Sequence, residues 1–151
     1  SWVERAKKFS EKSVDISVIL SQLTLPFIKN LPYVVTYQPS CHMTNVQKRV
    51  NEPLHLIKSI PGIELMPLPD AHMCCGSAGI YNIIRYNHSM KILDEKMKHV
   101  KQLPQIPNVI VTTNPGCHLQ MKLGVEREGL AEAVRVVHIV ELLAEACGIE
   151  V

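Results

Sequence analysis

A chain of 151 residues, 46% apolar, with 16 Lys+Arg against 14 Asp+Glu and a net charge of +2, has the length of one compact domain with its own core. It has no dense basic stripe, so nothing in the charge pattern supports a nucleic-acid surface. No run approaches the ~18 apolar residues of a transmembrane helix and charges are scattered through the opening segment, which leads us to expect a soluble, cytoplasmic protein. Five cysteines without an export signal point to reduced ligands or redox groups rather than a disulfide framework.

From Trp2 to Leu25, apolar residues spaced among Lys, Glu and Ser predict one helix with a break near Ser13 to Ser17, stopped before Pro26. Residues 1–32 are therefore expected to be an N-terminal helical segment, and 33–151 the main domain. Tyr33-Val34-Val35-Thr36-Tyr37 is β-branched and aromatic, and predicts a strand delivering the chain to Gln38-Pro39-Ser40-Cys41-His42. A helix is expected from Thr44 to Ile60, with Pro53 in a first turn and Pro61-Gly62 as the stop. Ile63 to Pro69 predicts a short second strand. From Ser77 to Lys101 the positions Ile80, Ile83, Ile84, Met90, Leu93, Met97 and Val100 predict one long amphipathic helix, with Lys91, Lys96, Lys98 and Lys101 on a solvated opposite face. The methionines are scattered and read as core filler. Asn108 to Thr113 predicts a strand running into Asn114-Pro115-Gly116-Cys117-His118, then a helix from about Leu119 to Leu130, a strand from Val134 to Val137, and a helix from Ile139 to Ala146 closed by Gly148. Strands alternating with helices predict an α/β fold: a parallel sheet of about four strands with helices on both faces, Rossmann-like.

The chemistry is concentrated at His72-Met73-Cys74-Cys75-Gly76-Ser77-Ala78-Gly79. Neighbouring cysteines have Cα atoms only about 3.8 Å apart, below the usual disulfide range, so a shared metal site is the better use of the pair. Two buried apolar cysteines beside a glycine-rich helix start remain the simpler alternative. Two further thiols are presented alike: Gln38-Pro39-Ser40-Cys41-His42 and Asn114-Pro115-Gly116-Cys117-His118 both follow a strand and a proline turn. Ligands of open parallel sheets gather beyond the carboxyl ends of strands, so Cys41 and Cys117 are expected to meet Cys74 and Cys75 there. Four thiolates suit iron–sulfur or zinc. His42, His72, His118 and His138 stand near these turns as replacement ligands, as hydrogen-bond donors that tune a bound group, or as residues that orient loops. Cys147 reads as a small buried residue near a helix end. No GxGxxG follows a strand, so a dinucleotide site is not expected.

At Cys41-His42, Cys74-Cys75-Gly76-Ser77-Ala78-Gly79-Ile80-Tyr81-Asn82, Asn114-Pro115-Gly116-Cys117 and Val137-His138 before Val140-Glu141-Leu142-Leu143, the chain resembles the cysteine-rich CCG domain family. That family includes the cysteine-rich subunit of heterodisulfide reductase, lactate-utilisation proteins and the iron–sulfur subunit of glycolate oxidase, and the similarity is greatest to the C-terminal part of the last. The resemblance implies an iron–sulfur electron-transfer domain, a [4Fe–4S] cluster on Cys41, Cys74, Cys75 and Cys117, and a complex in which a flavin subunit oxidises glycolate or a related 2-hydroxy acid and electrons pass toward a quinone. It also implies a ferredoxin-like N-terminal part absent from this chain, which is expected to be a fragment, and a place at the inner membrane face through the complex. Many family members carry Cys-x-x-Cys where this chain has Cys117 and then Gln120. Four thiols instead of five speak against a paired noncubane cluster. A structural zinc clamp stays open, and so does a heterodisulfide reductase-like thiol/disulfide redox domain, although the missing fifth thiol counts against it.

Overall fold

The computed structural model describes residues 1–150, so Val151, the last residue of the expected main domain, lies outside the described residues. The strands are β1 (Val34–Gln38), β2 (Glu64–Met66), β3 (Val109–Thr112) and β4 (Arg135–His138). The helices are α1 (Trp2–Lys12), α2 (Ile16–Leu20), α3 (Asn51–Ser59), α4 (Tyr81–Ile84), α5 (Tyr86–Lys101), α6 (Pro115–Arg127) and α7 (Ile139–Ala146), with a π-helical turn at Met43–Gln47. The strands form one all-parallel sheet in the order β2-β1-β3-β4, with Val35 opposite Val109 and Val111 opposite Val137. The expected α/β architecture is present.

Alternation along the strands splits the core into two layers. Val35, Tyr37, Val109 and Val111 pack with Leu56 and Ile57 of α3 and Leu142 and Leu143 of α7. Ile110 and Val136 face the opposite layer, with Leu93, Met97 and Val100 of α5 and Met121 and Val125 of α6. At Gly124 of α6, an added Cβ would lie 2.8 Å from Met97 Sδ and 2.9 Å from Leu93 Cδ1, so the absent side chain is what lets α5 and α6 approach. Five of the six methionines are buried, as filler should be. From β1 the chain crosses to β2 on one side and later to β3 on the other, so the strand order reverses between β1 and β3. A crevice opens at their carboxyl ends, where such sheets hold ligands.

The break expected in the N-terminal helix is present: α1 stops at Lys12 and α2 restarts at Ile16 behind the Asp15 cap, whose Oδ1 accepts from Ser17 N at 2.9 Å. Several other expectations are corrected. The segment from Thr44 to Ile60 is broken by Lys48 at φ 57, which separates the π-helical turn from α3. The long helix expected from Ser77 starts only after two left-handed residues, Ala78 and Gly79, and breaks again at Arg85, where φ is −131. Ile80, Ile83 and Ile84 are consequently exposed rather than part of a core stripe. Lys96 is not on the solvated face but fully buried, because it stands three residues after Leu93 and four before Val100 and so shares their side of α5. Helix α6 begins at Pro115, before Leu119, because Asn114 Oδ1 caps it by accepting from Gly116 N and Cys117 N, with Pro115 ideal at the first position. Cys147 is partly exposed at the end of α7, not buried.

Candidate metal centre at the strand ends

Cys41 opens the helical turn that follows β1, Cys117 lies in the first turn of α6 after β3, and Cys74-Cys75 ride on the loop between β2 and α4. Ser40, Cys41, His42, Cys74, Ser77, Ala78, Gly79, Asn114 and Cys117 line one cavity of about 250 Å3. That is far more than the ~10–15 Å3 a single water needs on the same measure. Cys75 is buried, and the four thiols influence one another's protonation in sequence, Cys41 with Cys74, Cys74 with Cys75 and Cys75 with Cys117. The four sulfurs thus form one connected string from Cys41 to Cys117. Among the described residues, no three Cys, His, Asp or Glu side chains are arranged as the ligand set of a single ion.

The backbone of the turn is shaped for close approach. Gly76, Ala78 and Gly79 have φ of 98, 40 and 70, three left-handed residues in four, and such runs make concave arrays of N–H groups of the kind found at iron–sulfur sites. Gly76 N donates to Cys74 Sγ at 3.3 Å, and the Ser77 backbone N–H lowers the Cys75 pKa by bonding its sulfur. A Cβ at Gly76 would sit 2.6 Å from Ser89 O, and one at Gly116 would sit 2.6 Å from Ser77 Oγ. Gly76 thus lets the loop lie against α5, and Gly116 lets α6 lie against the loop. These features, with four thiols and N–H donors on sulfur, fit a thiolate-held iron–sulfur group.

The charge state follows from crowding. The hydrogen bond to Cys75 and burial push the Cys74 thiol strongly up; the bond to Cys117 and burial push Cys75 up to about 12; burial and the neighbouring Cys74 raise Cys41. Cys117 goes the other way, because it accepts from the Cys75 thiol, and its place in the first turn of α6 favours its thiolate as well. Without a bound cation the site holds its protons, and a metal must displace them.

Gln120 is buried and holds the turn: its Nε2 donates to Ser89 Oγ at 2.8 Å and its Oε1 accepts from Asn82 Nδ2 at 3.2 Å, while Ser89 Oγ donates to Gly76 O at 2.8 Å. Of the histidines, only His42 lines the cavity. His72 is exposed and does not line it. His118 and His138 are drawn instead to Glu141: His118 Nδ1 lies 4.0 Å from its Oε2, and His138 caps α7, its Nδ1 accepting from Val140 N and its backbone N donating to Glu141. Sequence reasoning passed over Gln38, Ser89 and Lys96. Gln38 Nε2 donates to Pro39 O, Ala71 O and Met73 O, tying the Cys41 turn to the Cys74 loop. Helical spacing on α5 was the available signal for Lys96; Gln38 and Ser89 carried none.

The model of the cysteine-rich domain family matches residues 35–122, more than half of the chain and the stretch that contains all four thiols. This chain belongs to the CCG cysteine-rich domain family. Among curated proteins, this CCG domain is 52% identical over 150 residues to a probable glycolate oxidase iron-sulfur subunit of Bacillus subtilis, covering 97% of the chain and 33% of the relative. It is 32% identical to lactate utilization protein A of Geobacillus thermodenitrificans, covering 94% of the chain and 59% of that protein, and 37% identical to the protein of the same name from Oceanobacillus iheyensis, covering 94% and 57%. The chain therefore spans a third to three-fifths of the curated relatives it is compared with. No solved structure matches it significantly.

Proposed function

We propose that this CCG domain holds an iron–sulfur cluster, of [4Fe–4S] type, on Cys41, Cys74, Cys75 and Cys117, and that it serves as an electron-transfer domain of a complex oxidising glycolate or a related 2-hydroxy acid. The observation that carries this reading is the set of three thiols, Cys41, Cys74 and Cys117, lining one cavity at the β1–β3 crevice, with the buried Cys75 coupled to Cys74 and Cys117 and a turn with three left-handed residues beside them. A protein named as an iron–sulfur subunit, 52% identical along nearly the whole chain, supports it. Such a cluster supplies one-electron chemistry when bound. The chain's own residues hold it through sulfur, bury Cys75 and Cys117, and direct N–H groups at Cys74 and Cys75 to set its potential. In the full assembly the electrons come from a flavin subunit, pass through the missing ferredoxin-like part of the same polypeptide, and leave toward a quinone, at the cytoplasmic face of a membrane. None of the described helices is itself long and apolar enough to cross one.

The deciding experiment is iron, zinc and acid-labile sulfide per chain on protein purified without oxygen, with an EPR spectrum after reduction. Iron with matching sulfide and a reducible signal is expected. Stoichiometric zinc without sulfide would replace the electron-transfer reading with a structural clamp. Single serine substitutions of the four cysteines are expected to reduce iron content; four variants with unchanged metal would overturn the ligand assignment.

A further inference from the structure

Lys96 is the one lysine of α5 with no access to solvent. A buried ammonium is costly unless something compensates it, yet its Nζ has only two backbone carbonyls as acceptors, Asp70 O at 2.8 Å and Ala71 O at 3.5 Å, and forms no ion pair among the described residues. The carboxylate of Asp70 is turned outward, 65% exposed and 3.7 Å from His99 Nε2. Cys75 and Cys117 lie in the same core layer as Leu93 and Met97, the neighbours of Lys96 on α5, and while burial pulls the Lys96 pKa down, Cys75, then Asp70, then Cys74 and Cys41 act to hold its charge. The hydrogen bonds also fix the loop that delivers Cys74. Asp70 is left-handed at φ 44, and the Ala71 carbonyl is shared by Lys96 and by Gln38 Nε2 from the Cys41 side.

Resting on the cluster reading above, we propose that Lys96 is the fixed counter-charge of the four-thiolate centre, a positioning residue that stabilises the added negative charge of the reduced state and so raises the reduction potential. A buried lysine with carbonyl partners alone is out of place in a metal-free core. Beside an anionic centre it is the compensating half of a buried charge pair.

The test uses the 151-residue chain and its K96M, K96Q and K96R variants, reconstituted without oxygen with ferrous iron and sulfide. Far-UV circular dichroism checks the fold, iron and sulfide are counted per chain, and midpoint potentials come from EPR titrations in which dithionite supplies the electron. K96M and K96Q are expected to load normally and to show a potential lowered by about 59 mV or more, a tenfold weaker preference for the reduced state in a one-electron couple; K96R stays near the parent. Folded neutral variants that load at least tenfold more weakly while K96R loads normally would support the same role. Loaded neutral variants at the parent's potential overturn it and leave the cluster reading standing. Neutral variants already unfolded before iron is added make Lys96 a structural tie and overturn it too. A parent chain that takes up no iron and sulfide overturns the cluster reading, and this inference with it.

Discussion

Gly76 occupies a position where both conformation and space exclude a side chain. Its φ of 98 lies in the region that L residues avoid, and a Cβ would press on the backbone oxygen of Ser89, which belongs to a helix and cannot step aside. Gly76→Ala is expected to destabilise the chain by more than about 1 kcal/mol and to lower iron loading, read by urea unfolding and metal analysis. Protonation at the same site has a consequence for pH. Cys75 rises from an ordinary 9.0 to about 12, Tyr37 from 10.0 to about 12 through burial, and Cys41 and Cys74 also rise, against Cys117 alone moving down. A raised folded value means that the folded chain keeps protons the unfolded chain has lost, so the stability these groups contribute is complete below their unfolded values and is lost as pH climbs through the folded ones. Metal-free protein should therefore melt at progressively lower temperature from pH 9 toward pH 12. A flat profile in scanning calorimetry across that window would refute the buried, protonated string.

At the scale of elements, each thiol is placed by an end rather than by a middle. The Asn114 side chain stops β3 and starts α6, and by accepting from Gly116 N and Cys117 N it satisfies two of the free donors at the helix start. Asn114→Ala is expected to cost about 0.5–2 kcal/mol and to weaken iron retention, because the backbone that carries Cys117 loses its anchor; denaturant midpoints and iron content on one preparation test both. The short α4 has no buried residue, and its shortness follows from Ala78 and Gly79 on one side and Arg85 on the other. The chain after the thiol pair is thus a turn first, then the single turn of α4, and a long helix only from Tyr86, a difference from the sequence pattern that frees Ser77, Ala78 and Gly79 to line the cavity.

For the molecule as a whole, two layers of side chains hold the sheet and leave the strand ends open to a ligand. Helix α1 takes no part in either layer: it has no buried residue, and Trp2 is 79% exposed. Deleting residues 2–12 is expected to change stability by less than about 0.5 kcal/mol and to leave iron uptake unchanged, measured by thermal melts and iron assay. A larger loss would show that α1 contributes more than its own capped turns. By contrast, a cluster bound only to the folded state raises the melting temperature of the whole domain, so loaded and metal-free protein should differ clearly in the same melts.

Much of this was legible in the chain. Short apolar and β-branched runs marked all four strands, three of them followed by a proline turn, and the repeated strand–proline–Cys-His pattern at Cys41 and Cys117 marked the carboxyl edge, because local propensity and turn chemistry are written within a few residues of each element. Whether a residue at such an edge faces the cavity depends on contacts far apart in the chain, and only the tertiary structure decided it. His118 follows Cys117 directly yet turns to Glu141; Gln120 reaches across to Ser89 and through it to Gly76; Lys96, one lysine among four on α5, is buried. Each of these side chains is directed by a partner tens of residues away in sequence or by the facing core layer, and one-dimensional spacing carries that information only in part.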